Sequence, residues 1–193
     1  MTDSTSTAIE RFFSAFEGLH PPGRPAVIDF DPDWPSPCEI GTAWVPEDAE
    51  TSQIRWQPVR REGPIRDFAG LEDALELEIH PAVKAHYGTF WSGHINATAP
   101  DGDLCLLYLW SEQDADRLIE NLIGHAVACR RTRTPFAVFF ALTDPDGDYF
   151  LTIHNETGAV QLEAPGRKAL RTVAGSLAEF MDTLTPRGAY PGR

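Results

Sequence analysis

The chain has 193 residues, 42% of them hydrophobic, which is enough to build one domain with a substantial core and excludes general disorder. Sixteen basic against 29 acidic residues leave a formal charge of −13, so a polyanion such as nucleic acid is a poor partner and a basic one is favoured, although acidic surfaces also serve solubility. The longest apolar runs fall far short of the ~20 residues that cross a bilayer.

From the N-terminus, MTDSTSTAIERFF carries an acid and no basic flank, which does not read as a signal peptide. Thr7 to Glu17 predicts a short helix with Thr7 and Glu10 as a capping box and Ile9, Phe12, Phe13 and Phe16 on one face. Gly18 and Pro21-Pro22 end it. Recurrent prolines up to Pro64 then predict a long irregular segment, pinned to the body by Trp34, Trp44 and Trp56. The stretch Ala26–Ile54 holds seven carboxylates and no Lys or Arg. Leu71 to Ile79 fits a helix through Leu71, Ala74 and Leu75 while LELEI alternates like a strand, and helix is the preferred reading, with Pro81 either kinking it or starting another turn through Tyr87.

Phe90–Ala97 and Leu104–Trp110 flank APDGD, a hairpin signal. Between Trp110 and Arg133 lies the clearest helix of the chain. Ala115, Leu118, Ile119, Leu122, Ile123, Ala126 and Val127 make an apolar stripe, Ser111 and Asp114 a capping box, and Arg130, Arg131 and Arg133 suit the C-terminal end of the dipole. Phe136–Leu142, Tyr149–His154 and Ala159–Glu163 predict a meander turned at Asp146-Gly147 and at Asn155–Gly158. A last helix starts at Ser176, capped with Glu179 and carrying Leu177, Phe180, Met181 and Leu184, beyond which Pro186 predicts a fraying tail. These elements predict a single α+β domain over 1–193, a mostly antiparallel sheet with helices packed against it, frayed at about 1–5 and 187–193.

Chemical motifs are scarce. No phosphate loop, HExxH or GxSxG occurs. Cys38, Cys105 and Cys129 lie far apart, as in a reducing cytoplasm. His125 and Cys129 share a helix face, which suits half a metal site or a thiolate pair, but a packed histidine and a buried thiol explain them more simply. His80, His86 and His94 have no metal-ligand spacing in their favour, and Asp144, Asp146 and Asp148 read as a hairpin turn, lacking the glycine and glutamate of a calcium loop. No catalytic residue, cofactor or metal is expected. A surface remains: Glu112, Asp114 and Asp116 beside Trp110, with Glu72, Asp73, Glu76 and Glu78, would form an acidic patch with aromatic edges if the two groups meet, suited to Lys- or Arg-rich loops.

Several stretches resemble the Syd proteins, the SecY-interacting family. They are Trp110-Ser111-Glu112 followed by ENLIGH (Glu120–His125), PSPC (Pro35–Cys38), Trp56-Gln57-Pro58, the Pro81–Gly93 region with Tyr87 and Phe90, and LAEF (Leu177–Phe180). The resemblance implies a SUKH-like α+β fold and a non-enzymatic cytoplasmic protein, peripheral on the inner membrane. It would bind positively charged cytoplasmic loops of the SecY translocation channel through an acidic concave surface, monitoring channel assembly. Carried over to this chain, it places Glu78, Tyr87, Trp110, Ser111, Glu112, Asn121 and His125 near the binding groove, with Asn121 and His125 alternatively serving as satisfied core polar groups. Other SUKH-like proteins imply a rival, an immunity protein whose acidic face covers a basic toxin. A thiol or metal enzyme on His125 and Cys129 is a third reading.

Overall fold

The computed structural model describes residues 4–48, 50–62, 67–143, 149–165, 167 and 169–190. The first helix, α1 (Ser4–Leu19), starts a turn earlier than predicted and buries Ile9, Phe12, Phe13 and Phe16. Thr7 therefore lies inside the helix and does not cap it, because Ser4 and Thr5 continue the helical backbone toward the N-terminus. The proline-rich region is not irregular. It folds as β1 (Ala26–Asp29), β2 (Glu39–Trp44) and β3 (Gln53–Trp56), an antiparallel sheet in the order β1-β3-β2. Its prolines fall between strands, where no ladder N–H is needed, so they punctuate the strands without breaking them.

A two-residue strand, β4 (Val59–Arg60), pairs with β5 (Phe90–Trp91). Between them stand α2 (Asp67–Leu75) and α3 (Pro81–Gly88). Pro81 opens α3 behind an N-cap at His80, where a missing N–H costs nothing. The hairpin β6 (Ile95–Ala99) and β7 (Gly102–Leu106) turns at Asp101-Gly102 as expected, but β7 stops at Leu106 and the buried Tyr108–Trp110 continue as irregular chain.

The long helix α4 (Glu112–Thr132) has Ser111 as N-cap and Arg133 in the left-handed region at its end. Its buried stripe is narrower than predicted. Ala115, Leu122, Ala126 and Cys129 are covered, whereas Ile123 and Val127 face outward, because only α2 and one edge of the core lie beneath the helix. β8 (Ala137–Thr143), β9 (Phe150–His154) and β10 (Val160–Glu163) form the expected meander, and the Asp144–Asp148 turn lies outside the described residues.

β11 (Arg171–Ala174), α5 (Leu177–Asp182) and β12 (Thr185–Ala189) complete the chain. Of the tail expected to fray, Arg187–Ala189 belong to a strand held by pairing with β6, and 191–193 lie outside the described residues. Pro186 is tolerated there because β12 is an edge strand. The main sheet has seven strands in the order β11-β10-β9-β8-β7-β6-β12, every pair antiparallel. On one face Phe140 meets His86 of α3 and Phe180 of α5. The other face, carrying Phe139 and Leu142, is overhung by α4.

Candidate functional site

The overhang leaves a groove between α4 and the strands β8 and β9, open along its length. It comprises two joined hollows of about 380 and 470 Å³ that share Tyr87, Leu118, Asn121 and Phe139. Tyr87 is buried in its wall and its hydroxyl donates to the Phe139 carbonyl at 2.6 Å, so this residue braces the end of α3 against β8. Burial with a committed hydroxyl pushes the Tyr87 pKa up and keeps the phenol neutral.

One end of the groove is built by Trp34 and Trp110. The indole N–H of Trp110 donates to the Trp34 carbonyl at 3.2 Å, and the Trp110 backbone N–H donates to the Asp114 carboxylate at 3.0 Å. Asp114 also accepts from the Ser111 N–H at 3.2 Å, which closes one half of the capping box and fixes how α4 leaves the sheet. Asp31 and Asp33 closely precede Trp34 in sequence, and Asp33 N–H donates to the Asp31 carboxylate in a tight local turn. Two arginines border this end. Arg117 lies over the Trp34 ring at 3.8 Å, and Arg61 over the Trp91 ring at 3.5 Å. Burial lowers the Arg61 pKa and the nearby Glu112 charge opposes that shift.

The residues expected at the site therefore divide. Tyr87, Trp110, Asn121 and His125 line the groove. Ser111 is the buried helix cap, and Glu112 is exposed on the first turn outside the lining. Glu78 is elsewhere. Its carbonyl accepts from the Asn155 side chain at 2.7 Å, and Leu75, three residues before it, accepts from Arg130 at the far end of α4. Glu112 and Arg130 are separated by ~27 Å of helix, so the acids of the α2 segment and those at the start of α4 do not meet. The segment brought to the α4 start by the Trp110–Trp34 hydrogen bond is instead the one that carries Asp31 and Asp33.

Asn121 and His125 are exposed on the groove wall and are not core groups. His125 Nε2 is 3.0 Å from the Ala137 carbonyl and therefore serves as a donor. Cys129 Sγ is 3.6 Å from that same nitrogen, so the imidazole face nearest the thiol is already committed. Among the described residues no group of three His, Cys, Asp or Glu side chains could hold a metal.

Sequence reasoning passed over Phe139, Leu142 and Phe150 on the groove floor. Their signal was the unbroken apolar run of β8, where a one-sided strand would alternate. Phe139 and Leu142 remain 37% and 40% exposed, so that run supplies more apolar surface than the core covers.

A family model described as Syd protein (SUKH-2) matches residues 6–186. Curated relatives agree. Protein Syd of Pseudoalteromonas atlantica is 40% identical over 189 residues, covering 96% of this chain and 98% of that protein. Protein Syd of Alteromonas mediterranea is 38% identical, covering 98% and 100%, and that of Hahella chejuensis is 36% identical, covering 96% and 92%.

Proposed function

The chain belongs to the Syd family, and from that membership and the groove's charge we propose that it docks on basic cytoplasmic loops of the SecY channel. It does so as a binding protein, without catalysis, at the cytoplasmic face of the inner membrane. No helix among the described residues is long and apolar enough to cross a membrane, so attachment runs through the protein partner. What supports the proposal is the Trp110–Trp34 hydrogen bond, which brings the segment carrying Asp31 and Asp33 against the start of α4, where Glu112, Asp114 and Asp116 lie. Two arginines border this end, each already laid over an indole.

A concave acidic end attracts a Lys- or Arg-rich loop at long range and sets its orientation, more than it sets final affinity. Asp114 is spoken for by backbone amides, and the exposed Glu112 and Asp116 of the first helical turns are the acids that meet the loop. Glu78 has no part in this surface. Glu112→Lys is expected to weaken SecY binding about tenfold at low salt, through a slower association, while the protein stays folded because Glu112 is exposed. Surface plasmon resonance on detergent-solubilised SecY checks this. Unchanged affinity with normal stability would take Glu112 out of the surface.

A further inference from the structure

The acidic end accounts for only half of the groove. Beyond Asn121 its floor is Phe139, Leu142 and Phe150, and its α4 wall continues through Leu118 and Leu122 to His125. Exposed apolar side chains scattered singly mean little, but here two of the large exposed hydrophobics among the described residues, Phe139 and Leu142, stand together at the bottom of a concave site.

We infer that the groove takes an extended peptide segment carrying one bulky apolar side chain, which seats on Phe139 and Leu142, and an Arg or Lys, which meets the acids at the start of α4. Asp114 and His125 mark the two ends of the lining and lie 11 residues apart on α4, or ~16 Å. At ~3.3 Å per residue the anchor and the base are separated by up to about five residues of extended chain. The charge complementarity is that of the proposed docking surface, and this inference rests on that reading. It adds the apolar anchor as the feature that separates the true partner from any other basic loop.

The test uses the full chain and two synthetic peptides of equal charge. One has leucine four residues from an arginine pair, and the other has serine in its place. Fluorescence anisotropy is expected to show the leucine peptide binding on the order of tenfold more tightly, a difference that persists at high salt. Leu142→Ser should abolish the difference while leaving the serine peptide's affinity as it was, and Leu142→Met should restore it. Glu112→Lys should weaken both peptides. Equal binding of the two peptides, or a leucine advantage that survives Leu142→Ser, would overturn the anchor. If wild-type protein holds SecY vesicles and Leu142→Ser holds them equally well, the anchor fails while the docking proposal stands. If wild type binds neither peptide nor SecY, both fail. Sedimentation that shows a dimer dispersed by Leu142→Ser would give the groove to a second copy of the chain and overturn the peptide occupant.

Discussion

Trp56→Ala is expected to cost about 3–5 kcal/mol of folding stability, the range for removing a large aromatic from a closed core. Trp56 is fully buried on β3 and joins parts that are distant in sequence. Its ring stacks on Phe16 of α1 with centroids 5.7 Å apart and meets Trp110 edge-on at 5.6 Å. Gly93 passes so close that a Cβ there would lie 2.9 Å from the indole. The indole nitrogen has no partner among the described residues, so the loss is one of packing alone. Because Trp110 also carries the bond to Trp34, the cavity should loosen the acidic end of the groove and weaken partner binding together with stability. Urea denaturation checks the first effect. A loss below about 1 kcal/mol would mean that the small sheet does not share the main core.

The second large effect is a dependence of stability on pH. His86 is completely buried, with Nε2 at 2.8 Å from the Leu107 carbonyl and its ring stacked on Tyr108. Burial pushes its pKa down to about 4 from 6.5, against the opposing pull of that carbonyl. Between those values the unfolded chain binds a proton that the folded chain refuses, so stability is full above pH 6.5 and is lost as pH falls toward 4. The loss is about 3 kcal/mol from this residue. Equilibrium unfolding between pH 7 and 4 should show the slope. His86→Gln should flatten the profile, whereas an unchanged slope in that variant would assign the acid sensitivity to other groups.

The main helices and the meander were legible in the sequence because their signals are local. Ser111 and Asp114 cap α4, and Ser176 with Glu179 caps α5, where the Glu179 N–H donates to the Ser176 hydroxyl at 3.2 Å. What escaped was decided by pairing at a distance. β1 and β2 are held by β3, and β12 by β6, none of which shows in a window of a few residues. The site followed the same division. Asn121 and His125 share one side of α4, with Trp110 just ahead of its cap, and so could be read together, and Tyr87 joins them through Phe139, 52 residues away. The acids that complete the site were misassigned, because helix spacing places Glu112 and Asp114 together but says nothing about whether Glu78 or Asp31 comes to meet them. A single long-range hydrogen bond, Trp110 to Trp34, brings the segment that carries Asp31 to the start of α4, and no local pattern foretells it.

Electrostatic docking to SecY is tested most directly by sedimenting the purified protein with inner-membrane vesicles, with and without overproduced SecY, across a salt series. Binding that requires SecY and fades as salt screens the acidic end is the predicted result. Equal binding to both vesicle types, or none to either, would contradict it and direct the search toward a soluble basic partner such as a toxin.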